Sequence, residues 1–369
     1  MEENIDLAVT PLVDTHKNLG AKLAPFGGWL MPIQYSGIIE EHNWTRTNAG
    51  LFDICHMGEF AIEADLSKSN LGDLLTVNLK SMPEGSCRYG FMLNEMGGII
   101  DDLVVYRISE FKWMIVVNAA TTSTDEAHLR KYINSATNLE NISAHLGKLD
   151  LQGPESRSLL QELIAEDIEL KYYTFGYFNL LGENIIISRT GYTGELGYEL
   201  YMPNKKIPEL WEKILSDKRV KPIGLGARDT LRLEIGYSLY GQDIDQNTTP
   251  LEAGLEYFID WEKDFIGKAA LKKEKEKGLP KRMIAFASGS RRSPRHNYRI
   301  LYKGEDIGSV TSGSFSPSLG VGIGMGYVSR EVKAGELVDL VEGAVSINAK
   351  VVNKPFYKNG SAKCERVKK

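Results

Sequence analysis

Two adjacent aspartates, Asp101 and Asp102, have the surroundings in this sequence that most clearly predict chemistry. They lie in the apolar run Gly97-Gly-Ile-Ile-Asp-Asp-Leu-Val-Val, where strand alternation directs their side chains to opposite faces that both carry apolar neighbours. Burying a carboxylate without a partner costs several kcal/mol or raises its pKa. At least one aspartate therefore needs a partner, or lies in a cleft where a carboxyl group reacts. The alternative is that both are strand-end residues that accept backbone hydrogen bonds.

Asn118 is the predicted neighbour of Asp102. A turn at Ser109-Glu110-Phe111 folds the chain into a hairpin that sets Asp102 opposite Asn118. A carboxylate beside a carboxamide can read the donors and acceptors of a heterocycle. The alternative for Asn118 is an ordinary turn residue at the end of a strand.

A second group of candidates comes later in the chain, with Glu199 in a strand pair that encloses Gly191-Tyr-Thr-Gly-Glu-Leu. These glycines either let a ligand approach the backbone or only satisfy a tight turn. Arg228 lies at the start of a predicted helix, on a face that is partly apolar. An arginine in such surroundings needs a carboxylate as its partner. That carboxylate belongs either to a ligand or to an internal ion pair, with Glu199 or a residue near Asp229.

The cysteines Cys55, Cys87 and Cys364 are scattered and odd in number, which predicts a reducing compartment without structural disulfides. Cys55 lies beside His56 and is a candidate nucleophile, because a histidinium lowers a thiol pKa. A small buried cysteine is the simpler interpretation, since adjacent strand residues point to opposite faces. Dispersed histidines and the lack of a glycine-lysine loop or a His-Glu-x-x-His motif predict neither a metal site nor a nucleotide loop.

The elements around these candidates predict an α+β region followed by a small all-β domain. The segment from Thr10 to Trp44 is interpreted as short polar helices and Gly/Pro loops, including Phe26-Gly-Gly-Trp-Leu-Met-Pro. Helical periodicity is predicted over 124–135, 207–215 and 227–239, with strands between them. After residue 280 the pattern changes to short strands rich in glycine and serine, which predicts a domain boundary there.

Composition excludes several classes of protein. With 369 residues the chain is long enough for two or three domains, and its 44 basic and 49 acidic residues argue against a general nucleic-acid binder. The start MEENIDLAVT fits neither a secretory signal nor a transit peptide, and no apolar stretch of about 18 residues is present. We therefore expect a cytoplasmic protein that binds neither membranes nor nucleic acid.

An ordered set of motifs from residue 10 to about residue 356 resembles the glycine cleavage T-protein family, the aminomethyltransferases. No single motif is decisive, but their order is highly specific. The motifs are Thr10-Pro-Leu, Phe26-Gly-Gly-Trp-Leu-Met-Pro-Ile-Gln-Tyr, Asp53-Ile-Cys-His-Met-Gly, Gly97-Gly-Ile-Ile-Asp-Asp-Leu, Val116-Val-Asn-Ala, Leu151-Gln-Gly-Pro-Glu-Ser, Arg189-Thr-Gly-Tyr-Thr-Gly-Glu, Gly226-Ala-Arg-Asp-Thr-Leu-Arg-Leu-Glu, Phe265-Ile-Gly-Lys, Val310-Thr-Ser-Gly, Pro317-Ser-Leu-Gly and Met325-Gly-Tyr-Val.

The resemblance implies two interleaved α+β subdomains of ferredoxin-like character around a folate cleft. They comprise residues 1–50 with 150–280, and residues 51–149, and a C-terminal β-barrel or jelly-roll-like domain follows at 281–369. It also implies a reaction, in which the one-carbon unit of an aminomethyl group on the lipoyl arm of the H-protein passes to tetrahydrofolate. The products are ammonia and 5,10-methylenetetrahydrofolate; tetrahydrofolate is a co-substrate, and no metal is implied.

The family's catalytic aspartate corresponds to Asp102, which is expected to hold the pterin ring and assist proton movement. The other residues implied to contact folate are Met57, Tyr89, Asn118, Glu199 and Arg228. The segment after Phe356 diverges from some relatives, so its contact with the folate tail is left unassigned.

Alternatives remain within the superfamily. Some folate-dependent members demethylate small sulfur or oxygen substrates, and others bind folate and assist iron–sulfur assembly. The latter carry Lys-Gly-Cys-x-x-Gly-Gln-Glu, where this chain has Lys263-Asp-Phe-Ile-Gly-Lys. A module of a larger amine dehydrogenase would need a flavin-binding half. A basic cluster in the C-terminal region comprises Arg291, Arg292, Arg295 and Arg299. This cluster either binds an acidic carrier protein or a polyglutamate tail, or it is an ordinary solvated loop.

Overall fold

The structure is a computed structural model that describes residues 7–363. Residues 1–6, which form most of the acidic start, and residues 364–369, which include Cys364, lie outside the described part. None of the helices within 7–363 has the length and apolar character needed to cross a membrane.

The helices and strands alternate through the first 280 residues and give way to strands alone after them. The helices are α1 (Val13–Asn18), α2 (Ile38–Thr47), α3 (Thr122–Tyr132), α4 (Ser156–Ile164), α5 (Ile207–Leu215), α6 (Leu225–Ile235) and α7 (Lys268–Lys277). The strands are β1 (Ala8–Val9), β2 (Lys22–Phe26), β3 (Trp29–Gln34), β4 (Ala49–Asp53), β5 (Gly58–Ala64), β6 (Ser86–Leu93), β7 (Ile99–Arg107), β8 (Lys112–Val117), β9 (Thr137–Asn141), β10 (Leu146–Gln152), β11 (Phe175–Leu180), β12 (Glu183–Ser188), β13 (Gly197–Pro203), β14 (Val220–Pro222), β15 (Arg282–Ser288), β16 (Arg299–Tyr302), β17 (Glu305–Ser316), β18 (Val321–Val328), β19 (Leu337–Glu342) and β20 (Val345–Val352).

A six-stranded sheet runs in the order β11-β12-β13-β10-β4-β14 and packs against α4 and α5. The sequence of α5 explains this packing, because its buried residues recur at helical spacing on one face. They are Ile207, Leu210, Trp211 and Ile214. Burying each such side chain contributes about 1.5–3 kcal/mol, which fixes the helix on the sheet.

A five-stranded sheet runs in the order β6-β7-β8-β5-β9 and carries Asp101 and Asp102 on its second strand. β7 and β8 form the predicted hairpin, with Val104 opposite Val116 and Arg107 opposite Trp113. Continued by two residues, this register sets Asp102 opposite Asn118, so the predicted register is confirmed.

A closed barrel in the order β15-β18-β17-β16-β19-β20 forms the C-terminal part. Its interior is filled by apolar side chains such as Phe286, Ile300 and Leu340, all fully buried. The α+β class with a C-terminal β-barrel is therefore confirmed. The division at residue 280 and the two interleaved subdomains stay predictions.

Two predicted segments were wrong. The stretch predicted as polar helices and loops contains a hairpin of β2 and β3, to which β1 adds in parallel. Gly27 and Gly28 form its turn with φ of 57° and 86°, values that suit glycine and make a two-residue hairpin turn. The helix predicted over 227–239 ends at Ile235, because Gly236 adopts the left-handed region with φ 79° and caps it.

Candidate functional site

A cavity of about 1160 Å³ opens among β6, β7, the 172–174 and 191–192 segments, and the 255–262 segment. Aromatic rings supply much of its wall, and Tyr89 stands edge-on to Phe258 with ring centroids 4.8 Å apart. Opposite them, Tyr192 and Tyr237 stack at 5.7 Å. Such walls accept a flat ring system and exclude water from the polar groups between them.

Asp102 is the carboxyl group that β7 contributes to this wall, while Asp260 and Glu262 line the cavity from the 255–262 segment. The Tyr89 hydroxyl donates to Asp102 Oδ2 at 2.9 Å, and Asn118 Nδ2 donates to Asp102 Oδ1 at 2.8 Å. The Asn118 side chain and backbone also donate to Asp101, at 2.8 and 2.9 Å. Asn118 therefore bridges the two aspartates from the end of β8.

Burial and the neighbouring Asp101 charge together raise the pKa of Asp102 to about 7, against the hydrogen bonds from Tyr89 and Asn118. A carboxyl group with this pKa is present in both protonation states near neutral pH. It can therefore both donate and accept a proton, which an ordinary surface aspartate cannot do at this pH.

Glu199 lies in a different electrostatic environment, on β13. Its Oε2 accepts hydrogen bonds from the hydroxyls of Thr190 at 2.8 Å, Tyr201 at 3.1 Å and Tyr106 at 3.3 Å. Burial opposes ionisation, but Lys148, the Thr190 hydrogen bond and Arg228 outweigh it, and the pKa of Glu199 lies below its ordinary value. Glu199 is thus held as a carboxylate acceptor.

Arg228, at the start of α6, forms an internal ion pair with Asp150 at 2.8 Å. Its guanidinium lies 4.9 Å from the centre of the Tyr192 ring, and Tyr192 lines the cavity. An internal ion pair was one of the two alternatives, but the partner is Asp150, neither Glu199 nor a residue near Asp229. β10 pairs Asp150 directly with Glu199, which explains why one arginine acts on both.

Comparison with known proteins gives this geometry a family. The family model described as the GCVT N-terminal domain matches residues 12–263. The model for the glycine cleavage T-protein C-terminal barrel domain matches residues 281–358. The chain belongs to the glycine cleavage T-protein family.

Relatives with known names agree. The chain is 46% identical over 353 residues to the aminomethyltransferase of Halothermothrix orenii, which covers 94% of this chain and 99% of the relative. It is 43% identical over 361 residues to the aminomethyltransferase of Thermotoga neapolitana, covering 96% and 99%. The crystal structure of glycine cleavage system aminomethyltransferase T from Bartonella henselae superposes with a TM-score of 0.90 at 34% identity, covering 96% and 99%. The prediction of an enzyme of the aminomethyltransferase family is confirmed.

Within this T-protein family member, the predicted site residues fall into two groups. Asp102, Tyr89 and Asn118 form one hydrogen-bonded group, in which Asp102 and Tyr89 line the cavity. Glu199 and Arg228 belong to a second group, joined through Asp150.

Met57 lies between these groups as a partly buried residue. It packs against the cluster of Val116 and Tyr201 and also against the cluster of Ala227 and Leu231. The roles assigned to Met57 and to the two groups toward folate stay predictions.

Cys55 and His56 do not form a nucleophilic pair. Burial raises the pKa of the Cys55 thiol well above its ordinary value, and the Asp53 charge raises it further. Burial lowers the pKa of His56 to about 3, so His56 is neutral. The interpretation of Cys55 as a small buried residue is the one that the structure supports.

The T-protein chain returns to the cavity after the barrel. The Ser361 backbone and hydroxyl donate to Glu195 Oε2 at 3.0 and 2.5 Å, and Ala362 N donates to Gly194 O at 3.1 Å. Lys363 then lines the cavity. The basic cluster of the barrel is exposed at Arg291, and its role as a carrier site stays a prediction.

Sequence reasoning missed three buried charged groups near the site, on β5, α3 and β10. They are Glu59, Asp125 and Lys148, which are 1%, 0% and 1% exposed. A charged residue inside an apolar strand, as in Leu146-Gly-Lys-Leu-Asp-Leu, was the available signal for Lys148 and Asp150. Among residues 7–363, no cluster of three or more His, Cys, Asp or Glu side chains is arranged to hold a metal ion.

Proposed function

We propose that this chain transfers the one-carbon unit of aminomethyl-lipoyl H-protein to tetrahydrofolate, releasing ammonia and forming 5,10-methylenetetrahydrofolate. The observation that carries the proposal is the Asp102 carboxyl group on the cavity wall, with a pKa of about 7 and with Tyr89 and Asn118 as donors. Family membership gives the reaction class, and this carboxyl group supplies the acid–base group that the reaction needs.

The residues present fit a pterin substrate. A pterin edge carries N–H donors, which a carboxylate can accept. Glu199 is held as a carboxylate, and the three hydroxyl groups that contact it all donate to its Oε2 atom. Tyr89 and Tyr192 supply flat walls within one cavity of about 1160 Å³. That volume exceeds the upper range of ordinary ligand sites, about 1,000 Å³, as a site for two carriers requires.

The proposed reaction moves protons as well as carbon. The aminomethyl carbon loses its bonds to the amine nitrogen and the lipoyl sulfur, and it gains bonds to the two folate nitrogens. Those nitrogens release two protons, of which one goes to the departing ammonia and one to the sulfur. We assign the transfer to ammonia to Asp102, since a group with a pKa of about 7 can accept and deliver it.

Tyr89 and Asn118 are proposed to hold Asp102 in one orientation during this exchange. Each donates to a different oxygen of the carboxyl group, so the carboxyl plane is fixed. General acid–base catalysis is typically worth about 10²–10⁴-fold in rate. Positioning of the two carriers in the cavity must supply the rest of the acceleration.

The test combines purified protein, tetrahydrofolate and aminomethyl-loaded H-protein, and follows ammonia release together with methylenetetrahydrofolate formation. Asp102→Asn runs alongside, because asparagine is nearly isosteric but cannot ionise. The matched control is Asp14→Asn, an aspartate on α1 whose side chain is 84% exposed and pairs with Lys17. Folate-dependent ammonia release by the parent and the control, lost in Asp102→Asn with folding intact, is the expected result.

Two other outcomes would change the proposal in different ways. If the parent binds tetrahydrofolate but does not react with loaded H-protein, the donor is wrong, and methylated sulfur and oxygen compounds become the substrates to screen. If the parent does not bind tetrahydrofolate, the whole proposal fails.

A further inference from the structure

Asp125 is a buried carboxyl group that the proposed reaction does not use. It lies in the first turn of α3, is 0% exposed, and neither of its oxygens has a conventional hydrogen-bond donor. A charged carboxylate in this position would have lost its hydration without replacement, which costs several kcal/mol. The geometry therefore requires Asp125 to carry a proton.

The partner for that proton is Asp101. The side chains of Asp101 and Asp125 interact with one another and with the Thr121 hydroxyl, whose own proton is donated to the Asn118 carbonyl at 3.0 Å. Two buried carboxylates that interact in this way cannot both ionise, so the pair holds one proton between them. Burial, with the Asp101 charge as the next cause, raises the pKa of Asp125 to about 10.

Hydrogen bonding decides which carboxyl group keeps the proton. Asp101 Oδ1 and Oδ2 each accept an N–H from Asn118, at 2.8 and 2.9 Å. An acceptor of two N–H groups is favoured as the ionised form. The proton therefore resides on Asp125, and its O–H donates to Asp101.

The charge on Asp101 also fixes the Asn118 amide. Its nitrogen lies between Asp101 Oδ1 and Asp102 Oδ1, 2.8 Å from each, so the amide oxygen must point away from both carboxyl groups. The same nitrogen also donates to the Asp102 backbone oxygen at 3.1 Å. A protonated Asp101 would offer an O–H to the amide oxygen and so weaken this orientation, and with it the hydrogen bond from Asn118 to the Asp102 carboxyl group.

We propose that Asp125 is a positioning residue of the site: its carboxyl group carries the proton of the Asp101–Asp125 pair, so that Asp101 stays ionised, orients Asn118 and maintains a negative charge beside Asp102. This proposal rests on the proposed function only for its effect on turnover. The protonation states that it assigns concern the protein without substrate.

The groups facing the pair come from three parts of the fold within the described residues. Asp102 follows Asp101 on β7, Asn118 and Thr121 lead from β8 into α3, and Tyr240 approaches from the segment after α6. Asp102 and Tyr240 are the titratable groups among them. The protonation of Asp102 is followed directly in the experiment below.

The test compares Asp125→Asn with Asp125→Leu in the full-length protein. The asparagine amide replaces the O–H as a donor to Asp101, whereas leucine has a similar size and no donor. In Asp125→Leu, Asp101 takes up the proton itself, and the neighbouring charge that raises the Asp102 pKa is lost. Carbon-13 NMR of labelled aspartate carboxyls, without substrate, should show Asp102 titrating about one pH unit lower in Asp125→Leu and close to the parent in Asp125→Asn.

Turnover supplies the second readout. We expect Asp125→Leu to lower kcat by about 10–100-fold, because the Asn118 amide loses its fixed orientation, and Asp125→Asn to recover most of that loss. The acid-side limit of the kcat/KM profile should move with the Asp102 titration. A merely structural role would lower the rate without moving this limit.

Several results would overturn the proposal. One is an unchanged Asp102 titration in a folded Asp125→Leu protein, and another is equal damage by both variants. The third concerns the infrared spectrum of the parent at pH 8. The proposal fails if this spectrum shows no protonated-carboxyl band that disappears in Asp125→Asn. If Asp125→Leu does not fold, Asp101→Asn removes the same charge directly, and an unmoved Asp102 titration there has the same meaning. If no aminomethyl transfer is found, the NMR and infrared results still decide the proton assignment.

Discussion

The two carboxyl groups assigned to the site, Asp102 and Glu199, are both enclosed by the protein, yet they hold protons differently. The pKa of Asp102 is raised to about 7, whereas that of Glu199 is lowered. Around Asp102 the nearest strong charge is the negative Asp101, while Lys148 and Arg228 act on Glu199. Burial alone therefore does not set the protonation state; neighbouring charges and hydrogen-bond donors together shift the pKa of each group.

Two other buried carboxyl groups have raised pKa values although each has a positive neighbour. Burial raises the pKa of Asp150 to about 7 although Arg228 lies 2.8 Å away, in part because Glu199 is also negative. Burial raises the pKa of Glu59 to about 8 against Lys148. Only Glu199 adds hydroxyl donors to the two cations, and it stays ionised. The first group thus contains a carboxyl group that exchanges protons, Asp102, and the second contains one that stays charged, Glu199.

Exchanging each carboxyl group for its amide should have the largest effect, and a different one at each residue. Asp102→Asn should lower kcat for ammonia release by about 10²–10⁴-fold, because it removes the proton-exchanging group. Glu199→Gln should instead raise KM for tetrahydrofolate, with a smaller change in kcat, because it weakens binding. Steady-state kinetics with each substrate varied separates the two effects, and equal kcat losses in both variants would contradict the division of labour.

Removing the positive charge of Arg228 should make the electrostatic environment of Asp150 resemble that of Asp102. Arg228→Met leaves Asp150 without its partner and should lower the free energy of unfolding by about 2–4 kcal/mol at pH 8. The loss should be smaller at pH 6, where an Asp150 with a pKa of about 7 is already mostly protonated in the parent. Urea unfolding at both pH values measures this, with Arg228→Lys as the control that keeps the charge.

Glu59 gives a stability effect of the opposite sign. Its folded-state pKa of about 8 lies above its ordinary value of 4.5, so its contribution to stability is complete below pH 4.5 and is lost as the pH rises to about 8. Glu59→Gln stays neutral throughout and should raise the free energy of unfolding by about 1–3 kcal/mol at pH 8. At pH 4 the variant and the parent should unfold alike. A constant difference across this range would point to packing instead.

Tyr89→Phe should have the smallest effect. It removes a hydrogen bond that lowers the Asp102 pKa, so that pKa should rise further, by less than about one pH unit. The NMR titration that follows Asp102 would measure the shift. A downward shift would mean that Tyr89 stabilises the protonated carboxyl group.

The Asp102–Asn118 contact could be predicted from the sequence because both residues belong to one hairpin. A turn position and strand alternation fix such a register. The Arg228–Asp150 ion pair could not, since its members are 78 positions apart and meet only in the folded chain. Asp125 was predicted on a helix, but its burial depends on how α3 packs on the sheet.

The hairpin of β2 and β3 shows a different kind of failure. Gly27 and Gly28 were interpreted as loop residues, although paired glycines between apolar runs also indicate a two-residue hairpin turn. Composition alone does not separate the two interpretations. The pairing of Leu30 with Pro25 on one side and Val9 on the other is tertiary information.

The return of residues 361–363 to the Gly194–Glu195 turn has a consequence for biosynthesis. A ribosome makes Asp102 early and Lys363 hundreds of residues later, yet both line one cavity. Both sheets can be complete on the nascent chain while this part of the cavity wall does not yet exist. A messenger cut short within the barrel would thus yield a chain that carries all the proposed catalytic groups in an unfinished enclosure.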